Sequence, residues 1–493
     1  MVMITLSRKR DYHIPPYILI NLVSFNSIPN NIKMNKVSRW AALVVVTFLC
    51  ACQSSDEGVD DDSSIPVDPI DDTAYSQYGT PFGQIPDTED VVMYEANLRA
   101  MSAGGDLRGV INRLDHIEDL GINVIWLMPI HPQGQERSVG SPYAIRDYKE
   151  VSNEYGDLED LRELTDAAHS LGIAVIMDWV ANHTAWDNEW IENKDWYTQD
   201  AAGNIVIPSG TNWQDVADLN FDNQEMRSAM IDAMKYWILE ANIDGYRCDY
   251  ADGVPADFWE DAWDELDAIP NRKLVKLAEG NREDHLQSGF DLNFGFEFYG
   301  AMINAFEGQP ATSIMEKSEE EYATVPDGKQ VLRYTTNHDE SAFAATPIEF
   351  FGGKQGALAA STITIFMNGV PLIYSSQEVG RSSNVPFFSN SRIDFDANPD
   401  MLESYQKMIA FYNSSASARK GSTQDFSNDD VVSFRKTLNN DDVLIIANIR
   451  NREVSYAIPS SLQNTEWSNI TTSNTVSLTG SIDLQPYEFL ILD

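Results

Sequence analysis

Arg247 and Asp249 stand two residues apart at the end of Asp244-Gly245-Tyr246-Arg247-Cys248-Asp249, and Glu279 ends Val275-Lys276-Leu277-Ala278-Glu279. On a β-strand, side chains two apart share a face, so Arg247 and Asp249 point one way and Cys248 the other, into plain core. A buried guanidinium keeps a neighbouring carboxylate ionised, which suits a nucleophile. Val275, Leu277 and Glu279 also share a face, and an apolar setting raises a carboxyl pKa as a general acid requires. Two such carboxyls about 5–5.5 Å apart cleave an acetal with retention: one attacks the anomeric carbon and the other protonates the leaving oxygen. Each group also has a plainer reading. Arg247 and Asp249 could be a structural ion pair, and Glu279 could simply begin a loop.

Asp178-Trp179-Val180-Ala181-Asn182-His183 and Thr336-Asn337-His338-Asp339 place histidines beside carboxylates and amides at the ends of two more strand-like runs. The chain holds only seven histidines, so two at such places exceed what scatter would give, although a lone histidine is more often structural.

These residues need a scaffold that gathers strand ends. Eight short apolar runs alternate with longer helical patterns: Val91–Tyr94, Val124–Leu127, Ile173–Asp178, Gly245–Asp249, Leu274–Glu279, Phe290–Phe294, Val331–Thr335 and Pro371–Ser375. The alternation predicts an α/β fold, a (β/α)8 TIM barrel over residues 86–412, with its active groups at the carboxyl ends of the strands. A Trp- and Asn-rich stretch over residues 184–220 reads as a short inserted subdomain after strand three. Its Trp186, Trp190 and Trp213 are either a miniature core or stacking platforms. Residues 413–493 turn to short alternating strands, as in Val431–Lys436 and Val443–Ile449, and predict a C-terminal all-β sandwich domain. There is no internal repeat and no nucleotide-type glycine loop.

The 493 residues are 43% hydrophobic and 11% aromatic, which calls for a packed body. A formal net charge of -42 repels nucleic acid and anionic membranes. No nucleic-acid partner is expected; a neutral polymer is compatible, and so is an acidic coat that only keeps the protein soluble. Residues 1–51 read as a leader whose true start is Met34, with basic Lys36 and Arg39 before an apolar core too short to span a bilayer. Leu49-Cys50-Ala51-Cys52 resembles the bacterial lipobox, which makes Cys52 the lipidated residue; an ordinary signal peptide is the alternative. Residues 52–85 read as a flexible acidic tether. With Cys50 and Cys52 in the leader, Cys248 is alone and forms no disulfide. The expectation is an exported monomer, lipid-anchored at the outer membrane or cell surface, with a periplasmic or secreted protein as the alternative.

The segments DWVANH, GYRCDYAD, LAEG and TTNHDE resemble, in order, the four conserved regions of the α-amylase superfamily, glycoside hydrolase family 13. Gly121 to Ile130 is similar to that family's second strand, Ala217-Asp218-Leu219-Asn220 to the motif closing its inserted domain, and Gly369 to Tyr374 with Glu378 to its eighth-strand signature. The likeness runs over about residues 86–380. It implies that Asp249 is the nucleophile, Glu279 the acid/base, and Asp339 the group that holds ring hydroxyls and aids distortion. It further implies that Arg247 orients Asp249, that His183 and His338 bind the reacting sugar, and that Asp178 braces them. Tyr143 would stack under that sugar, unless it is a surface-loop tyrosine. Asn182 and Asp218 match positions that often ligate calcium; they either do so here or only brace the loop. No organic cofactor is implied.

Two departures stand out. Asp252-Gly253 replaces a common Lys-His, and Tyr374-Ser375-Ser376-Gln377-Glu378 replaces the usual Tyr-Tyr-Gly-x-Glu. The resemblance thus implies hydrolysis of α-1,4-glucans of the starch and maltodextrin type. An α-glucosidase, maltogenic or transglycosylating enzyme on oligosaccharides is the first alternative, and a non-catalytic glucan-binding protein the remote one.

Overall fold

Eight short strands buried on both faces explain the architecture. β1 (Met93–Ala96), β2 (Val124–Leu127), β3 (Ala174–Val180), β4 (Gly245–Asp249), β5 (Val275–Ala278), β6 (Leu292–Phe294), β7 (Gln330–Arg333) and β8 (Val370–Tyr374) pair in parallel and in chain order. β8 returns to β1 and closes the barrel. One parity, with Met93, Trp126, Ile176, Leu277, Phe294 and Leu372, fills the interior. The other, with Tyr94, Ile125, Val175, Tyr246 and Cys248, packs outward into the larger core it shares with the helices. Cys248 is fully buried there, as its parity requires. The computed structural model describes residues 75–493; the leader, Cys50, Cys52 and most of the tether lie outside them.

Three positions differ from the sequence expectation. β1 starts two residues later than Val91 and continues through Glu95, because the ladder pairs Glu95 with Trp126 and Tyr374. The end of the expected tether, from Tyr75 to Ile85, is packed rather than free. Tyr75 donates to Asp232 (2.6 Å), Tyr78 donates to Asp166 (2.7 Å), and Phe82 joins the interior cluster at the amino end of the barrel. Finally, Ser376, in the turn after β8, has φ = 101°, a conformation that favours glycine. Its N–H donates to Glu378 (3.0 Å), and its carbonyl accepts from Arg381 N (3.2 Å).

The insert is held by a two-stranded ribbon, His183–Ala185 against Val216–Asp218. After the helix Pro399–Ser414, the chain forms antiparallel sheets. Four strands run in the order Ser422–Asp425, Val431–Leu438, Asp441–Asn448 and Phe489–Leu492, and two further pairs, Val454–Ala457 with Ser481–Leu484 and Thr465–Ser468 with Thr475–Leu478, lie beside them. Leu444, Ile446 and Leu490 face those pairs, whereas Val443, Ile445 and Ile491 face the barrel. Both faces are buried, so this segment reads as a continuous apolar run rather than a simple alternation.

Candidate active site

Arg247 is fully buried at the end of β4, and its guanidinium gathers three carboxylates. Nη1 donates to Asp178 Oδ1 (2.7 Å) and to Asp249 Oδ1 (2.8 Å), while Nη2 lies 2.8 Å from Glu279 Oε1. The rigid guanidinium fork therefore keeps the nearest oxygens of Asp249 and Glu279 within about 8 Å of each other. Trp126 supports the cation, with its ring centroid 4.9 Å from Cζ. Arg247 and Asp249 are not an isolated ion pair but part of this larger cluster at the barrel mouth.

The backbone after Asp249 is strained, and its hydrogen bonds show what the strain positions. Tyr250 adopts φ = 42°, uncommon for a residue with a side chain. That turn aims its N–H at Glu279 Oε2 (2.8 Å), and Ala251 N donates to the Glu279 carbonyl (2.9 Å). Asp249 and Glu279 are thus fixed to each other through main chain as well as through Arg247.

A second network runs from β1. Trp126 Nε1 (3.0 Å) and the Tyr143 hydroxyl (2.9 Å) both donate to Asp178 Oδ2. Tyr143 Oη also lies 2.8 Å from His338 Nε2, and His338 Nδ1 lies 2.5 Å from Glu95 Oε1. Burial pushes His338 down to about 4, so at neutral pH the ring carries one proton. Both hydrogen bonds hold that neutral ring in place, and burial holds the Glu95 pKa well above the usual carboxylate range. Asp339 Oδ2 sits 3.7 Å from His338 Nε2 and is the most open of the three expected catalytic acids, with 42% of its side chain exposed against 13% for Asp249 and 17% for Glu279. His183 is also buried, pushed to about 4 by that burial, with Nε2 3.2 Å from the Tyr143 carbonyl.

Five carboxyls, Glu95, Asp178, Asp249, Glu279 and Asp339, thus crowd around one buried cation. Burial raises Asp178 and Asp249 to about 7 while Arg247 pulls them back. Burial raises Glu279 as well, against Arg247 and with the charge on Asp249. Burial likewise raises Asp339, with Glu279 adding to it. Like charges at this density share protons, which is the condition under which one acid can be a base and its neighbour a donor.

The sequence-predicted residues Asp178, Arg247, Asp249, Glu279, Tyr143 and His338 form one connected cluster, with Asp339 at its rim and His183 joined through Tyr143. Reasoning from sequence missed Glu95, Trp126 and the turn at Tyr250. Glu95 shares parity with interior Met93, and that spacing was the available signal. Asn182 and Asp218 do come close, because Asp218 pairs with His183 across the ribbon. Yet Asn182 Oδ1 abuts Gly253, where an added Cβ would lie 2.2 Å away. One amide and one carboxylate fall short of the six to eight oxygens calcium takes. Among the described residues no three His, Cys, Asp or Glu side chains group as metal ligands. Asn182 and Asp218 would hold calcium only with backbone carbonyls and water completing its shell, and the chemistry of the carboxyl cluster needs no metal.

A family model described as alpha amylase, catalytic domain, matches residues 71–441. The chain belongs to the alpha-amylase family of glycoside hydrolases. Alpha-amylase MalA of Haloarcula japonica is 25% identical over 401 residues, which cover 77% of this chain and 58% of that protein. Alpha-amylase 2 of Dictyoglomus thermophilum is 27% identical over 391 residues, 74% of this chain and 67% of that one. This family member therefore spans a little under or about two thirds of the length of these curated relatives. A probable oligo-1,6-glucosidase of Bacillus subtilis is 25% identical, over 65% of this chain and 70% of its own length. Among solved structures, the maltogenic alpha-amylase AmyB of Thermotoga neapolitana superposes with a TM-score of 0.75 at 26% identity, covering 83% of this chain and 99% of that one.

Proposed function

We propose that this family member hydrolyses α-glucosidic bonds in α-1,4-glucans with retention, through a glycosyl-enzyme intermediate on Asp249. The observation that carries the reading is the single guanidinium of Arg247 holding Asp249 and Glu279 side by side at one mouth. Protonated Glu279 gives its proton to the leaving oxygen as Asp249 Oδ attacks the anomeric carbon. Glu279, now ionised, then takes a proton from water, which displaces Asp249 and restores the anomeric configuration. Asp339, open at the rim, binds ring hydroxyls. Tyr143 and His338, fixed by Asp178 and Glu95, shape the floor under the reacting ring.

Relatives named oligo-1,6-glucosidase and maltogenic amylase support a second reading, an exo-acting or transglycosylating enzyme on short oligosaccharides, and a product panel on starch, pullulan, cyclodextrin and maltotriose separates the two. Reducing-sugar release from soluble starch should fall at least about 10³-fold in kcat in Asp249→Asn, since a lost nucleophile forfeits several kcal/mol of transition-state stabilisation. Equal activity in wild type and variant would defeat the assignment. On the donor set above, chelation of divalent ions should leave Tm and activity unchanged; a fall in Tm would restore calcium at Asn182 and Asp218. The lipobox-like segment supports a lipid anchor at Cys52 and an exported, membrane-held monomer. Cys52→Ala should release the protein from membranes, and continued association would count against lipidation.

A further inference from the structure

Glu279 opens the loop after β5, and that loop is stitched residue by residue to the loop after β4. Tyr250 N donates to the Glu279 side chain and Ala251 N to its carbonyl. Asp252, next along the chain, continues the pattern: its carboxylate accepts from Asn281 N and Arg282 N, each at 3.3 Å. Arg282 binds back from the other side, with Nη1 donating to the carbonyls of Asp252 (3.0 Å) and Val254 (2.9 Å). Asp284 holds that guanidinium in turn, accepting from Nε (2.9 Å) and Nη2 (3.0 Å).

His285 closes the arrangement. Its ring is fully buried, with Nε2 2.6 Å from Asp252 Oδ1, and meets Phe290 edge to face (5.6 Å, 79°). Nδ1 has no hydrogen-bond partner among the described residues, so Asp252 is the polar side chain that fixes the ring. Gly280, directly after Glu279, has no room for a side chain. An added Cβ would lie 2.3 Å from Asp252 Oδ1 and 2.5 Å from His285 Nε2. Gly253 is equally confined, with an added Cβ 2.2 Å from Asn182 Oδ1 and 2.6 Å from the Tyr250 ring. The Asp252-Gly253 pair that stands where the family commonly has Lys-His therefore offers a single carboxylate, and the loop carrying Glu279 takes it up.

We infer that Asp252 and His285 are positioning residues for Glu279, a clamp that sets the acid/base loop at proton-transfer distance from the leaving oxygen. The inference rests on the hydrolase reading above. Arg247 and Tyr250 N meet the two carboxyl oxygens of Glu279, and the clamp holds the backbone on the far side of that residue. A general acid must stand within hydrogen-bond reach of the atom it protonates, and a drift of about 1 Å can cost a hundredfold. Neither clamp residue moves a proton in the reaction; both act through Glu279.

The leaving group separates this role from general damage. Maltopentaose releases a sugar alcohol and needs a proton at the leaving oxygen, whereas α-maltotriosyl fluoride releases fluoride and needs little such help. In Asp252→Ala, kcat/KM should fall about tenfold to a hundredfold for maltopentaose and stay within about threefold for the fluoride. Gly280→Ala, whose added Cβ must push the clamp apart, should show the same split without removing a charge. Asp252→Asn, whose amide oxygen still accepts from Asn281 N and Arg282 N, should recover much of the rate. Equal losses on the two substrates, as a misfolded loop would give, would overturn the clamp. So would a loss on maltopentaose carried by KM with kcat kept, which would make Asp252 a ligand of the leaving sugar. Wild-type cleavage of both substrates with no split in either variant would sink the clamp alone; a wild type that cleaves neither would sink the hydrolase reading with it.

Discussion

The barrel mouth and the C-terminal sheet both bury ionisable groups, and they do it in opposite ways. At the mouth, five carboxyls crowd around one guanidinium, which pairs directly with Asp178, Asp249 and Glu279, while Glu95 and Asp339 lie beside His338. In the sheet, Lys436 is buried at 1% exposure, and its one hydrogen bond runs to the Arg419 carbonyl at 3.4 Å. Burial alone drives it down to about 7. The contrast separates buried charge that is arranged for chemistry from buried charge that is only a cost to folding. A cluster that shares protons can be both nucleophile and acid; a lone lysine cannot.

The largest effect that can break this comparison lies behind the chemistry rather than in it. Glu95 touches no expected substrate position, yet it holds the His338 ring and through it Tyr143. Glu95→Ala should lower kcat about tenfold to a hundredfold with a smaller change in KM, since misplacing a positioning group by about 1 Å costs that much. Glu95→Gln, which can still hydrogen-bond Nδ1, should recover much of the rate. Equal rates for Glu95→Ala and wild type would reduce the network to packing.

Opposite pH dependences give the next test. In the unfolded chain Asp249 titrates near 3.8, and in the fold near 7. Between those values the folded protein binds the extra proton, so its contribution to stability falls as pH rises across that window. Asp249→Asn should therefore gain Tm relative to wild type as pH increases from about 4 to 7. Lys436 has the reverse sign. Its pKa is 10.5 unfolded and about 7 folded, so the folded protein binds fewer protons between them and stability rises with pH there. Lys436→Met should be more stable than wild type at pH 6, by about 1–2 kcal/mol, with the advantage shrinking toward pH 10. Parallel Tm profiles for wild type and variants would erase the distinction between the two regions.

How much of this was legible in the sequence depends on the range of the signal. Strand parity alone placed Arg247 and Asp249 on one face and Cys248 on the other, and placed Glu279 after Val275 and Leu277. The barrel followed from eight runs whose boundaries hold to within about two residues. Glu95 was missed despite its parity with Met93, because a carboxylate in an apolar run reads as the end of a strand, whereas a barrel interior tolerates it when His338 arrives from the loop after β7, more than two hundred residues later. The left-handed turn at Tyr250 leaves no mark in residue type. Ser376 leaves a misleading one, since a glycine there would have announced the φ it adopts. The packed stretch from Tyr75 to Ile85 was read as tether from its acidic neighbours, although its aromatic residues find partners on distant helices.

Covalent trapping decides the central claim most directly. A glucosyl fluoride whose added ring fluorine slows turnover of the intermediate should leave its sugar on the enzyme, and peptide mass mapping should place that added mass on the segment containing Asp249. The label should be absent from Asp249→Asn, and product formed by the wild type from unmodified glucan should keep the α configuration by NMR. Label on another residue, or an inverted product with no covalent adduct, would contradict the account.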